Sequence, residues 1–197
     1  MLGRCRDCKT RISPRYPVIE AAGAVFAVIC LWFFGLALLA LLAFGVIMVL
    51  LAIATIDFNT SEIPDSLIIA LVPFAIASIW LLPDVSIFSH AIGLVAISLP
   101  MLLLTLIVPG AFGGGDIKLI AVCGFLLGWQ LTLLAFFIAL MLGGGTAIYL
   151  LASGKRKRGQ HMVFGPAICA GTIIALFYGK DIIAWYLQMY VLWVYWY

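Results

Sequence analysis

Apolar runs long enough to cross a bilayer follow one another almost without interruption from Val18 to Ala152. A helix rises about 1.5 Å per residue and the hydrocarbon layer is about 30 Å thick, so a span needs roughly 17 to 25 such residues. Runs of that kind cover approximately 18–34, 36–56, 66–82, 90–108 and 163–179, and 117–152 reads as a helical hairpin broken near Gly128. The count is about seven spans. It predicts an all-α polytopic membrane protein, a bundle of transmembrane helices with short connections. With 66% hydrophobic and 10% charged residues among 197 and a mean hydropathy of +1.25, a water-soluble domain is excluded. The first arm of the hairpin, 117–128, is too short to cross straight. The final stretch, 182–197, is rich in Trp and Tyr and suits either an interfacial helix or an eighth span.

Nine of the eleven Lys and Arg residues fall in two clusters, Arg4, Arg6, Lys9, Arg11 and Arg15, and Lys155 to Arg158. Beside apolar spans such clusters report orientation through the positive-inside rule, and no nucleic-acid partner is expected. Placing the N-terminus in the cytoplasm puts loops 57–65, 109–116 and 153–162 inside and 83–89 and 128–130 outside. Both basic clusters then lie on the cytoplasmic side, and so do Asp57 and Asp116. Residues 1–17 read as a short basic cytoplasmic segment and 18–197 as the transmembrane domain. The basic opening has no apolar region ending in a small-residue cleavage site, so the first span is expected to direct insertion itself.

Cys30, Cys123 and Cys169 fall inside apolar runs, where a thiol acts as a small hydrophobe. Cys5 and Cys8 form a CxxC, but structural zinc takes four ligands, and the lone loop residue His161 is a distant third. No metal site is expected.

Eight acidic residues remain to be weighed. Asp7, Glu20, Asp84 and Asp181 suit solvated or interfacial places. Asp65, after Pro64 and before a span, is expected to cap a helix. Asp57 ends some twenty apolar residues, and Asp116 closes Gly113-Gly114-Gly115-Asp116-Ile117-Lys118. Three glycines before an aspartate permit positive φ and close approach of another chain, which suits a site that holds an extended peptide. A glycine turn capped by Asp116 is the plainer alternative for that motif alone. Two adjacent carboxylates cannot both ionise cheaply, so one keeps a proton while the other stays charged. Such a pair can activate water and protonate a leaving amine, which is peptide hydrolysis without a metal or a covalent nucleophile.

Four stretches together resemble the type IV prepilin peptidase family of GxGD aspartic peptidases. They are Gly3-Arg4-Cys5-Arg6-Asp7-Cys8 with Ile12 to Pro17 and Glu20; Asp57 with Ile63-Pro64-Asp65; Gly113 to Leu119; and Phe164-Gly165-Pro166. The resemblance runs in family order from residue 3 to about 179. It implies that Asp57 and Asp116 are the catalytic pair, supported by Gly113, Gly114, Gly115 and Lys118. It implies cleavage, at the cytoplasmic face of the bacterial inner membrane, of the basic leader of prepilins or pseudopilins, with membrane lipid around the bundle. Longer members also carry a further CxxC segment implicated in methylating the new N-terminus. The cleavage step needs no cofactor, and S-adenosylmethionine enters only if methylation is retained.

Three rivals differ in what they require. An ion-coupled transporter would use Asp57 and Asp116 for a coupling ion, with Gly143-Gly144-Gly145 marking a broken helix. A non-catalytic secretion-system component would leave both aspartates expendable. An archaellin-type signal peptidase of the same GxGD group keeps the chemistry and changes the substrate; the CxxC and Arg15-Tyr16-Pro17 favour the prepilin branch.

Overall fold

The computed structural model describes residues 15–153 and 164–196, so Cys5, Cys8, Lys155 to Arg158 and His161 lie outside the described residues. All regular structure among the described residues is helical: α1 (Arg15–Phe34), α2 (Leu38–Thr60), α3 (Asp65–Leu81), α4 (Ile87–Ala96), α5 (Ser98–Ile107), α6 (Gly114–Leu127), α7 (Trp129–Ala152) and α8 (Gly165–Trp196). Helices α4 and α5 are halves of one apolar rod, Ile87–Ile107, interrupted at Ile97. Pro100 causes the interruption, because it cannot donate to the carbonyl of Ala96 and its ring crowds that carbonyl. The eight segments therefore make seven rods. Five are long and apolar enough to cross a membrane, and α3 is a shorter apolar helix. The chain separates into two compact units, with the boundary between Phe44 and Gly45 inside α2. The first unit holds α1, which ends on Gly35 at φ +66°, whose N–H reaches Leu31 O at 2.9 Å. That is the left-handed glycine stop of a helix. The second unit holds the remainder and both aspartates.

The expected hairpin forms as a 14-residue α6, a reversal at Gly128 and a 24-residue α7. Gly128 has φ +80°, a value that costs other residues energy. At about 21 Å, α6 falls short of the hydrocarbon thickness. Helix α7 runs unbroken through Gly143 to Gly145, so the broken helix that the transporter reading requires is absent there. The last stretch neither folds back as an eighth span nor forms a separate interfacial helix. It continues α8, which runs without interruption for 32 residues from Gly165 to Trp196.

Polarity is inverted relative to a water-soluble bundle. Leu102, Leu103, Leu106, Ile107, Phe137 and Met141 are exposed, while Asp57, His90, Asp116, Thr132 and Thr172 are buried. Lipid tails are as apolar as leucine, so close packing and internal hydrogen bonds hold such helices together. Both are present between α4 and α6. A Cβ on Gly93 would overlap the carbonyl of Gly124, and one on Gly124 would overlap that of Gly93. The backbones therefore touch. Alongside, Nδ1–H of His90 donates to Phe125 O at 2.5 Å, and Thr132 Oγ1 donates to Gly128 O at 2.6 Å across the turn into α7.

Candidate active site

Helix α2 extends past its apolar run to Thr60, so Asp57 stands in its last turn and not in a loop. Polar side chains keep that turn helical: Asn59 Nδ2 donates to Thr55 O (2.5 Å) and Thr60 Oγ1 to Ile56 O (2.9 Å). The helix stops at Ser61, which takes φ 56° and returns its N–H to Asp57 O at 2.8 Å. A non-glycine residue in that region stores about 1–3 kcal/mol of strain, and this one sits on the wall of the candidate site.

Asp116 lies in the first turn of α6, three residues after its N-cap, Gly113. The N-cap position of α6 is thus held by Gly113 and not by Asp116, and the expected capping of α3 by Asp65 does not occur. The residue ahead of α3 is Pro64, with no side-chain cap. Asp65 pairs instead with Lys118, whose Nζ meets Oδ1 and Oδ2 at 2.8 and 2.9 Å. This exposed bridge ties the start of α3 to the second turn of α6, across 53 residues of sequence.

The glycines also work differently from expectation. Positive φ occurs at Gly110 (83°), and not at Gly113, Gly114 or Gly115. What the motif supplies is proximity. A Cβ on Gly115 would lie 2.9 Å from Ile63 Cβ, and one on Gly113 would lie 3.0 Å from Asp116 Oδ2, whereas Gly114 faces open space. The α2–α3 connection can thus lie directly against the start of α6.

Asp57 and Asp116 consequently line one cavity of about 380 Å³, together with Ser61, Glu62, Ile63, Asp65 and Gly113 to Gly115. Both aspartates are buried, at 4% and 8% exposure. Buried Cys169, in the second turn of α8, is within electrostatic reach of both. Residues that sequence reasoning did not assign to the site are Ser61, Glu62, Ile63 and Gly165. The backbone N–H of Gly165 faces the Asp57 carboxylate, and a Cβ there would overlap Oδ2. The signal for it was the phrase Phe164-Gly165-Pro166, a glycine ahead of a proline where a helix begins.

A larger cavity of about 500 Å³ lies where the α3–α4 connection and the α6–α7 turn meet α8. Its one carboxylate, Asp84, is bound to Lys180 at 2.9 Å, so it lacks the paired acids that hydrolysis would need. Among the described residues no three His, Cys, Asp or Glu side chains gather as a metal site.

The chain is similar to known proteins over most of its length. Residues 44–148 match the model of the type IV leader peptidase family, and residues 1–34 match that of the bacterial peptidase A24 N-terminal domain. A protein of Bacillus subtilis (strain 168) named prepilin leader peptidase/N-methyltransferase is 34% identical over 187 residues, covering 95% of this chain and 75% of that protein. Proteins of the same name are 30% identical in Legionella pneumophila, covering 94% of this chain and 66% of that one, and 35% identical in Burkholderia pseudomallei (strain K96243), covering 90% and 59%. No solved structure matches the chain. With the family model covering more than half of its length, this multi-pass, all-helical chain belongs to the type IV leader peptidase family.

Proposed function

We propose that this chain is a membrane-embedded aspartic endopeptidase that removes the leader from prepilins or pseudopilins at the cytoplasmic face of the inner membrane, with Asp57 and Asp116 as its catalytic pair. One observation carries the reading: two buried carboxylates, from the end of one span and the start of a helix over fifty residues later, line the same cavity. Burying carboxylates is costly, and a fold does not bring two of them to one cavity for stability.

The chemistry follows from that pairing. One carboxyl carries a proton and the other is ionised, because two adjacent negative charges repel. The ionised carboxylate takes a proton from water as the water oxygen attacks the scissile carbonyl carbon, and the protonated carboxyl gives its proton to the carbonyl oxygen. When the tetrahedral intermediate collapses, the C–N bond breaks. The amine leaves with the proton that the first carboxylate had taken, and the second recovers its own. Each residue thus serves as acid and base in turn.

Support for the orientation comes from chain connectivity. Gly165 faces Asp57, so the chain enters α8 at the aspartate end of the bundle soon after the stretch that carries Lys155 to Arg158. Basic loops favour the cytoplasm. The relatives' names include N-methyltransferase, for which S-adenosylmethionine would be the methyl donor. Among the described residues, the lining of the carboxylate cavity holds no aromatic face for an adenine; these residues do not fit that cofactor, and no step here involves it.

The test is cleavage of a prepilin by the purified protein in proteoliposomes. Wild type is expected to release the leader, and Asp57→Asn and Asp116→Asn are each expected to lose that activity while remaining folded. Normal cleavage by both variants would overturn the proposal, and ion flux without cleavage would favour a transporter.

A further inference from the structure

We propose that the Phe164–Gly165 step is a positioning element for Asp57, so that the site rests on three elements, the end of α2, the start of α6 and the start of α8. The inference rests on the reading of Asp57 as catalytic and concerns how its carboxylate is held.

Gly165 is the first residue of α8, and the carboxylate of Asp57 lies where its side chain would be. A Cβ there would overlap Oδ2, lie 3.0 Å from Cγ and come within 3.1 Å of Ile63 Cδ1. Carboxylate and α8 backbone are therefore packed face to face, and that approach exists only because residue 165 is glycine. Oδ2 is buried and has no hydrogen-bond partner of ordinary geometry among the described residues. What faces it is a helix N-terminus, which favours negative charge.

Pro166 has no N–H, and the N–H groups of Ala167 and Ile168 both reach Phe164 O, at 3.0 and 3.1 Å. Of the first-turn donors, the N–H of Gly165 is the one left to face the carboxylate.

Phe164 fixes where that amide stands. Its ring packs against Phe136 of α7, with centroids 6.3 Å apart and planes at 81°, and against Phe112 at 5.8 Å. A Cβ on Gly143 of α7 would lie 2.8 Å from the same ring. The ring is thus seated over Gly143, which gives the first glycine of the 143–145 run a purpose. Because Phe112 immediately precedes Gly113, Phe164 also touches the loop that leads into α6, the helix that carries Asp116. One aromatic ring links the supports of both carboxylates.

The decisive experiment measures kcat and KM for prepilin cleavage by the full chain in nanodiscs, beside the affinity for substrate and the unfolding temperature. Gly165→Ala is expected to lower kcat about a hundredfold, the scale of a 1 Å misplacement, with KM and substrate affinity within about threefold of wild type. Gly143→Ala, away from the cavity lining, is expected to lower kcat about tenfold by lifting Phe164. The double variant Gly143→Ala/Phe164→Leu is expected to be no worse than Phe164→Leu alone, because the smaller side chain leaves room for the added methyl.

A wild-type kcat in Gly165→Ala would overturn the proposal. So would a rise in KM alone, which would make residue 165 part of the substrate dock. If Gly165→Ala does not fold, the Gly143 and Phe164 variants decide: unchanged kcat in Gly143→Ala, or full additivity with Phe164→Leu, would overturn it. Failure here differs from failure of the catalytic assignment, in which Asp57→Asn itself would cleave normally.

Discussion

The two ends of the bundle each hold a cavity and acidic residues, yet treat their charges in opposite ways. At one end Asp57 and Asp116 are buried in a cavity whose lining, among the described residues, carries no basic side chain and is rich in glycine backbone. At the other, Asp84 is 76% exposed and neutralised by Lys180 in the larger cavity. Volume alone would point to the end that lacks paired acids. Burial of like charges in one cavity, more than volume, marks a candidate reactive site.

The sharpest way to break that contrast is to remove ionisation at the buried end. Asp57→Asn and Asp116→Asn keep size and most hydrogen-bonding capacity, so the bundle is expected to fold normally. Each is expected to lower cleavage on the order of a thousandfold or more, and the double change hardly further, because the two act in one step. Multiplicative losses measured in single-turnover cleavage would show that the residues act separately and that the shared cavity misleads.

Next in size is the glycine motif, where neighbouring positions are expected to differ. Gly115→Ala places a methyl 2.9 Å from Ile63 Cβ, and that atom lies too near the backbone to swing away. Relieving the overlap moves the connection after Asp57, at about 1–3 kcal/mol of overpacking, and cleavage is expected to fall about ten- to a hundredfold. Gly114→Ala meets nothing within 4 Å. It is expected to leave activity unchanged and to raise stability by up to about 1 kcal/mol, since alanine suits a helix better than glycine. Equal losses in both variants would mean that loop mobility, and not contact, is what the glycines provide.

This difference also shows what was legible beforehand. Apolar run lengths predicted seven rods, the break at Gly128 and the short α6, because membrane-spanning helices announce themselves by length. They did not locate the end of α2, since Asn59 and Thr60 satisfy carbonyls through their own side chains after the apolar signal has stopped. Nor did they show α8 continuing past residue 179, because an aromatic-rich sequence is compatible with a continuing helix, a turn or a surface helix. The two aspartates stood out as ionisable groups at span ends. Gly165 did not, because what matters there is the absence of a side chain opposite a carboxylate more than a hundred residues away in sequence.

Smaller effects are expected from Lys118 and Asp65. Their bridge links two elements of the cavity, but the side chains are 57% and 63% exposed, and such pairs contribute about 0–1 kcal/mol. Lys118→Gln and Asp65→Asn are each expected to reduce cleavage no more than about fivefold. Salt near 1 M, where the screening length is about 3 Å, is expected to bring wild type toward the variants. A thousandfold loss in Asp65→Asn would place that residue in the catalytic pair instead of Asp57.

The smallest effect belongs to the opposite end and concerns pH. A hydrogen bond from Lys180 and its positive charge hold the Asp84 carboxyl below its ordinary range. A group whose value is depressed by folding adds stability above its unfolded value, about 3.9 for aspartate, and that contribution is lost as pH falls through the folded value. Between pH 7 and 5 the pair therefore contributes a constant amount, and any change falls below about pH 4. Asp84→Asn and Lys180→Gln are expected to unfold at the wild-type temperature, within a degree or two, and to cleave normally, because an exposed pair gives little net stability. Wild type is expected to lose slightly more stability than either variant between pH 5 and 3 in detergent. A cleavage rate that followed Asp84 would show that the two ends are coupled and that the exposed carboxylate serves the reaction after all.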